Sequence, residues 1–440
     1  MPTNLKKLLN YIDKKVIKSA VRLHSATVLT KIIAGFLTTK FIAVYIGAEG
    51  LALIGNLRSF LSSAQAFGTV GVYNGLVKYI SKYKNNALQL SKTLSTAYYI
   101  GFIATMLISL MCYYNADFIN DFLFSDQYNY KYVIKIMAVA LPFYSLNLFS
   151  FSIMNGFEKY KFLMIINIIG QIMGLSVTLL LIWQNNIDGA LISVVIAPSL
   201  IFLITVVGIL NRRNLLKEVK VSNVDYKWVK RLSPYAIMAL VSGIAFPLVI
   251  IGVRNYIISV EGMQEAGFWE AMNRISSYYL LFVNSIMALY FLPRFSEIDT
   301  KKEFRNEVFD FYKTIIPIFA MGLLVIYLLR PFIVALFLTD EFQPVENLFI
   351  WQLLGDFVKV LALVIAYQFI AKKMFWHFII TEAFLLFMIY FTSVYFVDLY
   401  GVKGANIAHF ASYGVYYIII LLIFGSSLFG IDSEEKNLLD

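Results

Sequence analysis

Nine basic residues sit inside or at the ends of long apolar stretches: Lys31, Lys40, Arg58, Lys78, Lys135, Arg254, Arg274, Lys313 and Lys359. A Lys or Arg at the centre of a bilayer costs about 2.5–3.5 kcal/mol on insertion scales, so each needs a reason. Lys78 and Lys313 fall at cytoplasmic helix ends and reach the interface by snorkelling. The others, Lys31, Lys40, Arg58, Lys135, Arg254, Arg274 and Lys359, suit a water-filled cavity that receives an anion. Phosphate matches them chemically: arginine offers a planar bidentate fork and lysine a point charge. For Lys40, Arg58, Lys135 and Arg254, which lie toward the outer ends of their stretches, snorkelling is the competing reading.

Acids at membrane depth belong to the second half of the chain. Glu270 and Arg274 are spaced i, i+4, and Asp356 and Lys359 i, i+3, so each pair can meet on one helix face. Glu382 lies on the following stretch. Asp356 and Glu382 are candidates for ion coupling, because a buried carboxyl can be brought toward neutrality. A static partnership with Lys359 is the alternative. Glu270 is read either as a gating carboxylate or as half of a structural ion pair. In the first half no acid lies at membrane depth, and Glu49 falls in an outer loop. Pro142, Pro198, Pro247 and Pro317 interrupt apolar stretches, where each removes a helix hydrogen bond. Pro247 shares its stretch with Arg254 and is the candidate gating kink.

The elements that must hold these residues are membrane helices. Apolar stretches long enough for the ~30 Å hydrocarbon core recur near 24–46, 51–78, 92–113, 132–154, 161–183 and 188–210. After a polar segment come 233–256, 265–292, 308–330, 347–370, 375–397 and 404–428. They lack the alternation of barrel strands. The expected fold is an all-α polytopic membrane protein with about twelve transmembrane helices. Its expected parts are a basic amphipathic segment 1–23, a first lobe 24–210, a cytoplasmic linker 211–232, a second lobe 233–429 and a cytoplasmic tail 430–440.

Composition agrees. Hydrophobic residues are 60% of 440 and charged residues 15%, against about 25% in a soluble domain. The formal charge of +10 raises nucleic acid as a partner, but the cations cluster in alternate loops. The inside segments take Lys82, Lys84, Lys92, Lys159, Lys161, Arg212, Arg213, Lys217 and many more; the outside loops take only Lys131, Arg330 and Lys403. The positive-inside rule then places both termini in the cytoplasm and leaves no soluble domain to bind nucleic acid. The first helix serves as an uncleaved anchor.

The two halves repeat. Phe124-Ser125-Asp126-Gln127-Tyr128 corresponds to Leu338-Thr339-Asp340-Glu341-Phe342 at an offset of 214. Asp188-Gly189-Ala190 corresponds to Lys403-Gly404-Ala405 at 215, and Arg58 to Arg274 at 216. A near-constant offset across six helices marks a duplication, and an even helix count makes the repeats parallel. Two parallel six-helix lobes around a central cavity are the expected architecture.

No enzyme signature stands out. Cys112 is alone, and His24, His377 and His409 are scattered without metal-ligand spacing. There is no phosphate-binding loop for ATP. No cofactor is expected, and transport would draw on a proton or sodium gradient.

The sequence also resembles a known family. Thr30-Lys31-Ile32-Ile33-Ala34-Gly35, Gly47-Ala48-Glu49-Gly50-Leu51, Asn56-Leu57-Arg58 and Tyr73-Asn74-Gly75-Leu76-Val77-Lys78-Tyr79 are similar to the O-antigen flippase (Wzx) family, near its enterobacterial common antigen branch. So are Pro247, Gly267-Phe268-Trp269, Tyr290-Phe291-Leu292-Pro293 and the run Trp351-Gln352-Leu353-Leu354-Gly355-Asp356-Phe357-Val358-Lys359-Val360. The resemblance covers nearly the whole chain, in order. It implies the multidrug/oligosaccharidyl-lipid/polysaccharide exporter fold with a cationic central cavity. It implies transfer of an undecaprenyl-pyrophosphate-linked oligosaccharide from the inner to the outer leaflet of the bacterial inner membrane, by alternating access driven by an ion gradient. Membrane lipids, an O-antigen polymerase and a chain-length regulator are the implied partners. At Arg274 the chain departs from the nearest member of the family, which is acidic there, so ion coupling is not carried over to that position.

Two other classes compete. A drug exporter of the same superfamily predicts acids, not cations, in the first lobe. A membrane polymerase or ligase predicts large outer loops, whereas 115–131 and 330–346 are short and acid-bearing.

Overall fold

The computed structural model describes residues 15–430 apart from 72, 125, 126 and 211–218. Most of the expected basic segment 1–23, the Ser125-Asp126 part of the repeat, Arg212, Arg213 and Lys217 of the linker, and the tail from 431 lie outside the described residues.

The first part of the chain forms α1 (Lys15–Tyr45), α2 (Gly47–Gly68), α3 (Tyr73–Tyr83), α4 (Ala87–Tyr114), α5 (Ala116–Phe124), α6 (Lys131–Gly156) and α7 (Tyr160–Leu210). Then come α8 (Tyr226–Leu240), a π-helical turn (Val241–Ala245), α9 (Phe246–Glu261), α10 (Met263–Ile286), a second π turn (Met287–Phe291) and α11 (Leu292–Glu297). The chain continues through α12 (Lys301–Leu328), α13 (Arg330–Phe337), a 3-10 segment (Asp340–Leu348), α14 (Phe349–Ala371), α15 (Phe375–Tyr400), α16 (Val402–Ile423) and α17 (Gly425–Phe429).

Among the described residues, nine helical stretches are long and apolar enough to cross a bilayer. One of them, α7, bends at Asn185 and Asn186 and so supplies two arms. Two more helices, α2 with 22 residues and α10 with 24, are long enough but more polar. Together these make the twelve crossings expected. In α2 and α10 about half the residues or more are buried, against 17% of the most apolar window of α12. Helices enclosed by protein can carry polar groups that lipid-facing helices cannot. The remaining helices turn Leu107, Leu324, Trp376 and Leu422 outward, as a bilayer requires.

The expected second span, 51–78, is corrected. Its helix stops at Gly68, and the chain turns through Val70 and Gly71, both at positive φ, before α3 begins. A Cβ on Gly71 would lie 2.6 Å from the Ala239 Cβ, so the turn packs directly on α8.

The duplication is visible in the helix ends. Asn86 caps α4 by accepting from Gln89 N, and Thr300, 214 residues later, caps α12 by accepting from Glu303 N. The paired positive-φ positions Glu158 and Lys373 close α6 and α14, and Asn186 and Gly401 break α7 and separate α15 from α16. After each of those breaks the chain doubles back so closely that a Cβ on Gly189 would sit 1.8 Å from Leu181 O, and one on Gly404 1.9 Å from Phe396 O. The repeated Gly-Ala thus has a steric cause.

The chain divides into two compact units between Ile251 and Gly252. In the first, Leu76, Ile80, Leu90, Leu94, Ala97, Ile153, Leu232 and Ala236 form one core. The segment before α8 is strapped onto α4: Lys220 N donates to Ser95 Oγ, Asn223 Nδ2 to Ser91 Oγ and Asp225 N to Thr96 Oγ1, at 2.8, 2.6 and 3.0 Å. Lys92 pairs with Asp225 at 3.0 Å, and the buried Trp228 packs edge-on against Tyr79 and Tyr83. In the second unit, Phe291, Phe295, Phe304, Phe369 and Phe424 pack ring on ring.

Candidate functional site

Two buried polar clusters share α10. The first joins α9 to α10. Glu270 accepts from Arg254 NH2 on one carboxylate oxygen at 2.6 Å and from Arg274 Nε on the other at 2.8 Å. Arg254, Glu270 and Arg274 are only 1%, 5% and 4% exposed. Arg254 also lies 5.4 Å from the centre of the Trp269 ring. The expected i, i+4 pair is therefore present, but Arg254 shares its carboxylate. Two guanidiniums against one carboxylate leave a net positive charge, and both terminal nitrogens of Arg274 are buried without an acceptor. Such a group is costly to leave unmatched and presents the fork that phosphate or carboxylate oxygens fit.

The second cluster is built on Asp356 of α14, which is 0% exposed. Its Oδ2 accepts from Ser276 Oγ at 2.5 Å, Tyr279 OH at 2.5 Å and Gln352 Nε2 at 3.2 Å. Its Oδ1 meets His409 Nε2 of α16 at 3.0 Å. Asn406 Nδ2 in turn holds Gln352 Oε1 at 2.7 Å. The expected Asp356–Lys359 partnership is corrected. Lys359 sits over the Tyr413 ring, 5.1 Å from its centre, and acts on Asp356 only through its field. Four donors from three helices fill the carboxylate first. Glu382 of α15 is half-buried, and its charge acts on Lys359 and Tyr413.

Helical spacing explains the assembly. Ser276 and Tyr279 are i, i+3 on α10, Gln352 and Asp356 are i, i+4 on α14, and Asn406, His409 and Tyr413 follow one face of α16. The sequence marks Asp356 by its charge at membrane depth but does not single out these uncharged neighbours or His409. The signal available was polar residues at i, i+3 and i+4 inside apolar helices.

In the first unit the expected cations are more open. Lys31 and Arg58 are exposed and lie close enough for Arg58 to act on Lys31 through its charge. Lys40 is half-buried. Lys135 is exposed beside the Tyr113 ring, and both line an apolar cleft of about 520 Å³ between α4, α6 and α7. Pro247 follows the π turn Val241–Ala245, where Ser63 Oγ donates to Ile244 O at 3.1 Å. A wide turn next to a proline is a local weakness in the helix ladder. Among the described residues no three His, Cys, Asp or Glu side chains gather as a metal site.

The chain is similar to known proteins over most of its length. The chain is 28% identical over 404 residues to the Lipid III flippase of Escherichia coli (strain K12), covering 91% of this chain and 96% of that protein. Among solved structures it is similar to an inward-facing multidrug resistance MATE family transporter of the MOP superfamily, with a TM-score of 0.73, 11% identity, and coverage of 90% and 95%. It is also similar to the lipid II flippase MurJ in an inward closed conformation, with a TM-score of 0.70, 16% identity, and coverage of 92% and 86%. These structures share its fold. Residues 16–299 match the family described as polysaccharide biosynthesis protein. The chain is an integral membrane protein and belongs to the polysaccharide biosynthesis protein family.

Proposed function

We propose that this protein is a flippase for an undecaprenyl-pyrophosphate-linked oligosaccharide, an O-antigen repeat or a related unit, in the bacterial inner membrane. The observation that carries the reading is 28% identity to the Lipid III flippase along nearly the full length of both chains. The net positive charge of the buried Arg254–Glu270–Arg274 cluster supports it, because the cargo headgroup is anionic. It is a transporter and not an enzyme.

In this reading Lys31, Lys40, Arg58 and Lys135 of the first unit and Arg254, Arg274 and Lys359 of the second attract and hold the pyrophosphate. The polyprenyl tail stays in lipid. Access alternates, with the helix containing Pro247 as a bending point. A proton or sodium gradient drives the cycle through the buried polar groups of the second unit, for which the acids Asp356 and Glu382 are needed. Both termini face the cytoplasm, as the lysine and arginine bias of the loops supports. The product passes to an O-antigen polymerase and its chain-length regulator.

The test is surface display of O units in a strain that depends on this chain. Lys31→Ala and Arg58→Ala should each lower display severalfold at equal membrane abundance. Full display with both variants would remove the cation assignment. Asp356→Asn and Glu382→Gln should slow transfer, and a rate indifferent to both and to the gradient would remove the coupling role.

A further inference from the structure

The acid expected to carry the coupling ion is already fully engaged. Asp356 Oδ2 receives hydrogens from Ser276, Tyr279 and Gln352, and Oδ1 faces His409. Protonation of Oδ2 would require the Ser276 or Tyr279 hydroxyl to turn its hydrogen away from that oxygen. Asp356 is also sealed, at 0% side-chain exposure, whereas the His409 side chain is 19% exposed. The two are therefore unequal partners: one is buried and saturated, and the other is reachable.

His409 is held for a single task. Its Nε2 is committed to Asp356, which leaves Nδ1 as the nitrogen that can gain or lose a proton. The ring is fixed from two sides. It packs on Tyr413 with centroids 4.8 Å apart, and Gly355 lies so close that a Cβ there would come 2.3 Å from His409 Cδ2. A carboxylate that orients an imidazole and balances its charge when protonated is a recurring arrangement in proton transfer.

We propose that His409 carries the coupling proton of this transporter and that Asp356 is its fixed, orienting counter-ion. The inference rests on the flippase reading above. A proton from one side of the membrane adds to Nδ1, the imidazolium is balanced by Asp356, and the same proton leaves from Nδ1 to the other side. No other bond changes. Among charged and titratable groups, Asp356 from α14 and Tyr413 on α16 touch the ring, Tyr279 from α10 shares the same carboxylate, and Lys359 from α14 acts on that carboxylate through its field. Glu382 from α15 acts on Tyr413 and Lys359. Lys359 and Glu382 set the local field, and His409 moves the proton.

Two measurements decide it. In proteoliposomes with undecaprenyl-pyrophosphoryl-N-acetylglucosamine as probe, His409→Gln should lower probe-dependent proton flux about tenfold or more. Gradient-free exchange of the probe should change by less than about threefold. His409→Gln with wild-type proton flux overturns the proposal, as does wild-type transport driven by a sodium gradient alone. The second measurement needs no cargo. His24→Gln/His377→Gln leaves one imidazole, whose ¹⁵N resonances are followed from about pH 8 to about pH 5. Nδ1 should gain a proton while Nε2 keeps its own, and Asp356→Asn should scramble that tautomer. A ring that never changes protonation overturns the proposal. Wild-type vesicles that move no probe count against the flippase reading, and the resonances still decide the role of His409.

Discussion

Arg274 donates from Nε to Glu270, 2.8 Å away and one turn earlier on the same helix, and leaves both terminal nitrogens of its guanidinium buried without an acceptor. The corresponding cation of the first repeat, Arg58, is exposed on α2. Duplicated helices have thus placed equivalent arginines in different surroundings. A buried ion pair stabilises little compared with an apolar replacement, but breaking one side of it is expensive. In the proposed flippase the cluster is a binding feature and not a device for stability.

Removing Glu270 should therefore harm the fold more than neutralising it. Glu270→Ala removes the carboxylate that two buried guanidiniums share and is expected to cost about 3–5 kcal/mol. Glu270→Gln keeps an acceptor oxygen and should cost less. Thermal unfolding in detergent, followed by tryptophan fluorescence, gives the order. Equal melting temperatures for the two variants would mean that the acceptor geometry contributes nothing.

Gly355 and Gly414 form an internal comparison around His409. An added Cβ at Gly355 meets His409 Cδ2 at 2.3 Å and Phe410 N at 3.1 Å, whereas one at Gly414 meets nothing within 4 Å. Overpacking of this kind typically costs about 1–3 kcal/mol. Gly355→Ala should lower the melting temperature and shift the His409 resonances, and Gly414→Ala should do neither.

The strap ahead of α8 should loosen in acid. The backbone N–H of Lys227 and then the Lys92 ammonium hold the Asp225 carboxyl below the usual carboxylate range. A depressed value means that this contact is complete above the ordinary carboxylate range and is lost as pH falls through the folded-state value. Proteolysis within 219–225 should accelerate on acidification, and Asp225→Asn should flatten that dependence. Cleavage with the same pH profile in both proteins would show that Asp225 does not fasten the strap.

The repeated Gly-Ala after each helix break should be intolerant of any side chain. At Gly189 and Gly404 the obstacle is a backbone carbonyl, which cannot move aside as a flexible side chain would. Gly189→Ala and Gly404→Ala should each reduce membrane accumulation severalfold, measured by in-gel fluorescence of a fusion. Normal accumulation of both would show that the hairpins can open without loss.

The sequence by itself determined the class of molecule. Twelve crossings, the duplication and the set of ionisable residues at membrane depth follow from hydropathy, from the offset of 214 to 216 residues and from the cost of charge in lipid. Helical spacing also placed Glu270 beside Arg274. Spacing acts along a single helix and is silent about which helix faces which. Asp356 and Lys359 had the right separation to pair, yet donors from α10 and α16 reached the carboxylate and Tyr413 took the lysine. Arg254 joined Glu270 from another helix in the same way, and His409 acquired a partner 53 residues away. Only the tertiary structure could decide these contacts, because a buried polar group is satisfied by whichever partner the packing of neighbouring helices brings within hydrogen-bond reach.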